Sequence, residues 1–116
     1  DHVRRKANTI ELGNLDVARD FSDVRDVVQA YSRLMADRVA IGQIFNICSG
    51  EAHSLRDVIA MIRDISGHDF EVTINPSFVR QNEVKMLWGD RSKIDKMTEQ
   101  GPIHILHDTL KWMLDQ

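Results

Sequence analysis

The sequence predicts an α/β or α+β fold built from short strands and three to four helices. Two observations indicate this: apolar residues recur with a helical period in two long segments, and two short apolar runs between polar turns are typical of strands. With 116 residues, the chain has the length of one domain with a modest core. The predicted order is an extended start, then helix, strand, helix, strand and two further helices.

The first half begins with the extended segment TIELG and continues with a predicted helix near Asp23. Ser22 is the predicted N-cap, and Asp23 lies near the positive end of the helix dipole. The turn before it contains Arg19, an unusual neighbour for a helix start. Residues spaced as one helical face are expected to pack on the core: Val24, Val27, Val28, Tyr31, Leu34 and Met35.

A strand and a second helix follow. The run QIFNI, residues 43–47, is predicted to be a strand that ends in the turn CSGE. Ser54 is then the expected N-cap of the second helix, with Asp57 at the capping-box position and Gly67 as the terminator. The apolar stripe of this helix comprises Leu55, Val58, Ile59, Ile62 and Ile65.

The last third contains one predicted strand and two predicted helices. The segment FEVTI, residues 70–74, alternates like a strand and stops at an Asn-Pro turn. A short helix is predicted to begin at Ser92, where Asp90 or Ser92 itself is a candidate cap. The final helix carries its apolar face on Leu106, Leu110, Met113 and Leu114.

Composition and charge exclude several classes of protein. A formal net charge of −3 argues against a general nucleic-acid coat, which needs a basic face. The basic run at residues 4–6 is expected to be solvated, within a tail or linker at residues 1–9. Cys48 is the single cysteine, so no internal disulfide forms and a reducing compartment fits best. With neither a membrane-span pattern nor a signal-peptide pattern, we expect a cytoplasmic location and no membrane partner.

The usual catalytic constellations are missing from the sequence. The six glycines are scattered, so no Gly-rich phosphate loop exists. His104 and His107 are spaced to share a helix face, but without a nearby third ligand they are weak evidence for a metal, and no metal site is predicted. Cys48 follows the predicted strand without the flanking glycines of a nucleophile elbow, which favours a structural role.

Arginines with carboxylates nearby remain as candidates for ligand contact. Arg19 is followed by Asp20, Arg80 precedes Glu83 by three positions, and GDRSK stands at residues 89–93. The planar fork of arginine suits bidentate phosphate recognition, and a carboxylate can accept hydrogen bonds from a ribose diol. The alternative is local pairing, of Arg19 with Asp20 or Asp23 and of Arg80 with Glu83, since exposed ion pairs are common and often contribute nothing.

Four blocks, in this order, give the chain a resemblance that covers nearly all of residues 10–115. They are LGNLDVARDFSDVRDVVQAYSRLM, FNICSGEAHSLRDVIAMI, VRQNEVKMLWGDRSKI and PIHILHDTLKWML. Together they resemble the extended short-chain dehydrogenases that act on nucleotide sugars. The segment GNLDVARDF most resembles the corresponding segment of GDP-4-keto-6-deoxymannose reductases and GDP-mannose 4,6-dehydratases. The resemblance implies the C-terminal part of an extended Rossmann-type fold, which is α+β when taken as a fragment.

The resemblance also implies site residues. The arginine of the Arg-Asp-aromatic turn, here Arg19, would reach the sugar-nucleotide diphosphate. The later arginine, here Arg80, would contact phosphate or ribose, and the acid at Glu83 would bind the ribose hydroxyls. Asn14 and Leu15 lie where relatives run a strand beside the nucleotide. By contrast, the aspartates at 23 and 26 are expected to hold local structure.

The sequence departs from the family at several points. Relatives carry a Gly-rich cofactor loop and a catalytic Tyr-x-x-x-Lys pair, but the single tyrosine here, Tyr31, has Met35 four positions on. Glu99 and Gln100 replace the usual Gly-Trp before the last helix, which puts the docking of that helix in doubt. Gln81 replaces a common proline, which loosens the loop that carries the second arginine.

Residues 10–116 therefore resemble the nucleotide-sugar-binding part of an NAD(P)-dependent reductase, dehydratase or epimerase that acts at C4 of the sugar. The resemblance implies that NAD or NADP serves an intact parent enzyme, which would be a homo-oligomer, while this chain alone binds no cofactor and is inactive. Since the strand matching QIFNI joins a larger sheet in relatives, the isolated chain is expected to self-associate. The alternative is a free-standing, non-catalytic α/β module that binds a nucleotide or a protein.

Overall fold

The structure, a computed structural model, describes residues 2–97 and 103–116. Nine helices and strands, with two short 3₁₀ turns, form two small sheets and the layers around them within this part of the chain. The elements in chain order are β1 (Thr9–Leu12), β2 (Ala18–Asp20), α1 (Val24–Ala36), β3 (Ala52–Ser54), α2 (Leu55–Ser66), β4 (Glu71–Ile74), β5 (Met86–Leu87), α3 (Ser92–Met97) and α4 (Leu106–Asp115). The mixed α/β class is confirmed.

The first sheet and α2 enclose the hydrophobic core. β1 and β4 pair in parallel from Thr9 opposite Glu71 to Leu12 opposite Ile74. Leu15, Ile59 and Phe70 form the buried centre of this cluster. Partly buried side chains surround it: Val3, Ile10, Leu12, Leu55, Ile62 and Val72. The predicted apolar stripe of α2 therefore faces the core, and the strand predicted at residues 70–74 is present as β4.

The ends of α2 follow the sequence prediction closely. The Ser54 hydroxyl accepts from the backbone N–H of Asp57 at 3.0 Å, and the Asp57 carboxylate accepts from the Ser54 N–H at 3.1 Å. This reciprocal pair is the predicted capping box. Gly67 ends the helix with φ of 62°, a left-handed conformation that glycine adopts without steric cost.

The second sheet was not predicted. β2 lies at its centre, antiparallel to β3 and parallel to β5. Arg19, which the sequence placed in a turn, is the middle residue of β2. The prediction was wrong because strands of two or three residues are too short to show an alternating pattern; what defines them is pairing between distant segments.

Helix α1 exists as predicted, but its cap and its face differ. Asp23, not Ser22, is the N-cap, since its carboxylate accepts from the Arg25 N–H at 2.8 Å. The apolar face expected to enter the core is largely in solvent: Met35 is 88% exposed. More than half of the Val24, Val28 and Tyr31 surface is exposed as well, because no element of the described chain covers this face.

The strand predicted at residues 43–47 is also absent. The segment has no regular structure, because no neighbouring strand within residues 2–97 and 103–116 offers the backbone partners that a strand requires. It is held instead by side chains: Lys93 donates to the carbonyl of Ile44 at 2.8 Å, and Asn46 donates to the carbonyl of Asp90 at 3.2 Å.

The two ends of the chain meet near the core. Residues 2–6 form turns, Val3 packs on the core cluster and the Arg4 guanidinium donates to the carbonyl of Met113 at 2.7 Å. β1 begins at Thr9, one position before the predicted boundary; the division into a tail and a substrate-binding domain stays a prediction. Helices α3 and α4 match the predicted ones, while Glu99 and Gln100 lie outside the described residues.

Candidate functional site

Three side chains line up across one face of the second sheet. In register, Arg19 on β2 stands opposite His53 on β3 and beside Leu87 on β5. Residues paired across neighbouring strands point to the same face, with Cβ atoms about 5 Å apart in antiparallel pairs. Strand β2 is tied to the core by the N–H of Leu55, which donates to the carbonyl of Val17 at 3.1 Å. The face is therefore built on a packed support.

Arg19 and Glu83 meet on this face although 64 positions separate them. The Nη2 of Arg19 lies 3.3 Å from Oε1 of Glu83, and its Nη1 donates to the carbonyl of Ala18 at 2.8 Å. The two side chains are 28% and 21% exposed. The loop before β5 is fixed by the Ala18 N–H, which donates to the carbonyl of Lys85 at 2.8 Å. Two of the predicted site residues are thus in contact.

The turn before Glu83 has a distinct backbone conformation. Asn82 has φ of 62°, in the left-handed region that asparagine tolerates better than most residues. Arg80 is exposed, and within residues 2–97 and 103–116 it has no hydrogen bond or ion pair. The alternative pairing of Arg80 with Glu83 is therefore wrong, because Glu83 contacts Arg19 instead. The contact of Arg80 with a ligand stays a prediction.

Asn14 and Leu15 lie in a turn between β1 and β2 rather than on a strand. The side-chain oxygen of Asn14 accepts from the Asp16 N–H at 3.0 Å. Leu15 is 7% exposed, belongs to the core and accepts from the Arg56 N–H through its carbonyl at 3.2 Å. The structure does not bring these two side chains to Arg19, and their contact with a nucleotide stays a prediction.

Asp20 is a structural centre that the sequence did not single out. Its carboxylate accepts from Ser49 through both the N–H at 2.8 Å and the hydroxyl at 2.7 Å. It also accepts from the N–H groups of Gly50 at 2.9 Å and Gly89 at 3.2 Å. Burial raises the pKa of Asp20, but these hydrogen bonds outweigh it and hold the pKa below its ordinary value. The residue after Arg19 therefore joins β2 to two loops.

One of those loops requires glycine at position 89. A Cβ built there would lie 2.5 Å from the Sγ of Cys48, closer than real side chains approach. Burial raises the pKa of the Cys48 thiol, and the Asp20 charge adds to the effect. Cys48 therefore packs beside a loop backbone with its thiol protonated, as a structural cysteine does.

The aspartates of α1 hold local structure, as predicted. The Asp23 carboxylate is buried and accepts from the Arg25 guanidinium at 2.6 Å and from the Thr109 hydroxyl at 2.7 Å. The hydrogen bond from Arg25 is the main reason that its pKa lies well below the ordinary value. Asp26 accepts from the backbone N–H of His104 at 2.9 Å. Both carboxylates thus fix α4 to the start of α1.

The GDRSK segment is engaged within the fold. The Asp90 carboxylate accepts from the Ser92 N–H at 2.8 Å and so caps α3, as one alternative predicted. Arg91 pairs with Asp95 at 3.0 Å and donates to the carbonyl of Ser49 at 3.1 Å. Asp90 and Arg91 therefore contact α3 and the Ser49 loop, whereas Arg19 is the arginine that pairs with Glu83 at the candidate site.

Two properties of the described residues bear on what the chain can bind. No group of three or more histidine, cysteine or carboxylate side chains there could hold a metal ion. Within the same residues, every helix is too short or too polar to cross a bilayer.

Comparisons with known proteins agree on one family. The sequence profile described as GDP-mannose 4,6 dehydratase matches residues 2–111. The GDP-6-deoxy-D-mannose reductase of Pseudomonas aeruginosa is 35% identical over 109 residues, which cover 94% of this chain and 36% of that protein. The chain thus spans about a third of the length of this relative, whose description as an enzyme does not favour the alternative of a non-catalytic module.

Solved structures share the fold and also extend beyond it. A candidate epimerase from Burkholderia cenocepacia J2315 is 50% identical, with a TM-score of 0.92 over 98% of this chain and 37% of that one. RMD from P. aeruginosa, complexed with NADPH, is 30% identical with a TM-score of 0.85 over 97% and 38%. The UDP-glucuronic acid 4-epimerase of Bacillus cereus, complexed with UDP-glucuronic acid and NAD, is 26% identical with a TM-score of 0.83 over 98% and 36%.

Proposed function

This chain belongs to the GDP-mannose 4,6-dehydratase family, and we propose that it forms the part of an NAD(P)-dependent nucleotide-sugar enzyme that grips the nucleoside diphosphate. The observation that carries the proposal is the contact between Arg19 and Glu83. A cation suited to phosphate and a carboxylate suited to ribose hydroxyls lie together on a supported sheet face. The enzyme served is a reductase, dehydratase or epimerase that acts at C4 of the sugar.

Arg19 has the capacity to bind a phosphate without losing its present support. Within the described residues, two of its hydrogen bonds go to Ala18 and Glu83, whereas a guanidinium has five N–H donors. Its ion pair with Glu83 is partly exposed, and pairs of that kind contribute at most about 1 kcal/mol. A diphosphate with more charge can therefore replace Glu83, which is then free to accept from ribose.

Arg80 supplies the second cation of this proposal. It lies three positions before Glu83 on the same loop and is exposed. Two arginines that bind one diphosphate hold the sugar in a fixed position. Binding at a distance from the reacting carbon raises the rate because it positions that carbon. Asn14 and Leu15, between β1 and β2, are further contacts with the nucleotide in this proposal.

The nicotinamide cofactor is held outside these 116 residues in this proposal. Glycines stand at positions 13, 42, 50, 67, 89 and 101, and no two of them have the spacing of a dinucleotide-binding loop. When bound in an intact enzyme, NAD or NADP supplies the hydride chemistry at the sugar. The residues described here orient the substrate, and the chain alone is expected to turn over no nucleotide sugar. The protein acts in the cytoplasm and, as an intact enzyme, as a homo-oligomer.

The test is calorimetric titration of the chain with GDP-mannose. Arg19→Ala should weaken binding by about 1.5–3 kcal/mol, the range for hydrogen bonds between charged groups. Arg38→Ala is the matched control, because Arg38 is an exposed arginine in the 3₁₀ turn that follows α1, outside both sheets. Equal affinities for the two variants would contradict the proposal.

A further inference from the structure

His53 is a neighbour of Arg19, and neither the sequence prediction nor the proposed function gives it a role. The two residues are directly opposite in the antiparallel pair of β2 and β3. Side chains in such positions share a face, with Cβ atoms about 5 Å apart. His53 therefore lies beside the arginine proposed to bind phosphate.

The surroundings of His53 leave it available to a ligand. Its side chain is 25% exposed, and its Nε2 lies 3.6 Å from Oε2 of Glu51, whose side chain is 77% exposed. A pair at that distance with a solvated partner holds the imidazole weakly. At 3.6 Å the contact with Glu51 is too long for a hydrogen bond, so the Nε2 can still donate one to a phosphate oxygen.

The charged groups around His53 are of both signs. Arg19 faces it from β2 and Glu51 precedes it on the chain. Arg56 and Asp57 follow on α2, where the Ser54 hydrogen bonds are the main cause of the lowered pKa of Asp57. Asp57 is already engaged in the capping box, so Glu51 is the carboxylate that competes with an incoming anion.

We propose that His53 is a second anion contact of the site, which binds the phosphate adjacent to the one that Arg19 binds. The inference rests on the proposed function, and it adds a residue from β3 to a site otherwise built from β2 and the loop before β5. Arginine stays charged at all relevant pH values, whereas imidazole side chains change charge between pH 5 and 8. A diphosphate bound by both should therefore be held more tightly when the imidazole is protonated.

The probe is GDP-mannose, whose two phosphates each carry one ester bond and the shared anhydride bond, and so keep one negative charge each across this range of pH. Titration of the 116-residue chain should give a dissociation constant about fivefold lower near pH 5.5 than near pH 8, because charge-assisted hydrogen bonds are about twice as strong as neutral ones. His53→Gln, which keeps an amide donor but no charge, should bind equally at both values.

His107→Gln is the matched control, since His107 lies on α4, partly exposed, beside the exposed Asp108 at 3.6 Å. It should keep the wild-type dependence on pH. Far-ultraviolet circular dichroism at both pH values checks that every variant is folded, and His53→Asn serves if His53→Gln is not. Retention of the wild-type pH dependence in His53→Gln would overturn the inference while Arg19→Ala still tests the grip. Absence of GDP-mannose binding at both pH values would overturn both.

Discussion

Helices α1 and α2 have equally regular apolar stripes, but the two stripes differ in burial. Along α2 the stripe faces the core that includes residues of β1 and β4, and Ile59, its buried member, is less than a tenth exposed. Along α1 the stripe stays in solvent, with Met35 almost fully exposed. A hydrophobic period thus identifies the face that a helix would bury, but the burial itself depends on a partner that only the rest of the fold can supply.

The candidate site is attached to α2, the helix whose apolar stripe faces the core. Strand β3 runs directly into α2, and β2 is bonded to the start of α2 through Val17 and Leu55. Arg19 is therefore positioned by the well-packed region, while α1 is attached mainly through Asp23 and Asp26 at its first turn. The regions should respond very differently to substitution.

The largest expected effect is in the core. Phe70→Ala should lower the free energy of unfolding by about 3–5 kcal/mol, the usual cost of removing a buried aromatic ring. Val28→Ala, on the exposed face of α1, should change it by less than about 0.5 kcal/mol. Urea unfolding followed by circular dichroism measures both. If Phe70→Ala fails to fold, Phe70→Leu gives the same comparison at smaller cost. Equal losses of unfolding free energy in Val28→Ala and Phe70→Ala would contradict this difference between the core and the face of α1.

A smaller effect is expected at the joint between α1 and α4. The pKa of Asp23 is lower in the folded chain than its ordinary value, so its contribution to stability is complete above about pH 4 and is lost as the pH falls below that. Asp23→Asn should cost about 2 kcal/mol at pH 7, since the hydrogen bonds to a charged group are lost, and less near pH 2. Thermal unfolding at the two pH values measures this.

Asp115→Asn is the control for that series, because Asp115 is an exposed carboxylate at the end of α4. It should leave the stability at pH 7 unchanged. An Asp23→Asn variant that loses as much stability near pH 2 as at pH 7 would show that the carboxylate charge is not what joins the helices.

The smallest effect in free energy concerns the uncovered face of α1, through which we propose that the chain self-associates. Val28→Lys and Met35→Lys should shift the chain toward the monomer, because each places a charge on the apolar surface that association would bury. Gln29→Lys, also exposed on α1, should not. Sedimentation velocity over a range of concentrations distinguishes them, and a wild-type chain that is monomeric throughout would contradict self-association.

The elements that could be predicted from sequence are those specified by neighbouring residues. The capping box of Ser54 and Asp57, the left-handed Gly67 and the alternating residues of β4 are local patterns. Two predictions were wrong for one reason: the strand at residues 43–47 and the buried face of α1 each need a surface from another segment. β2, β3 and β5 were missed for the converse reason, since pairing alone defines strands so short.

The same division applies to the site. Arg19 and Glu83 were predicted as site residues through the resemblance of their surrounding motifs, and the structure brings those two into contact. Asp20 and His53 were not, because their roles depend on which loops and strands meet around β2. A carboxylate that accepts from Ser49, Gly50 and Gly89 has no signature in the residues beside it.

The central claim is that Arg19 and Arg80 bind one diphosphate, and a double-mutant cycle tests it most directly. The affinity for GDP-mannose is measured for the wild type, for Arg19→Ala, for Arg80→Ala and for the double variant. Residues that share a ligand group show coupling energies of about 0.5–3 kcal/mol, so the double variant should lose less binding energy than the sum of the single losses by at least about 0.5 kcal/mol. Losses that add within about 0.3 kcal/mol would show that the two arginines act separately and would contradict the shared grip.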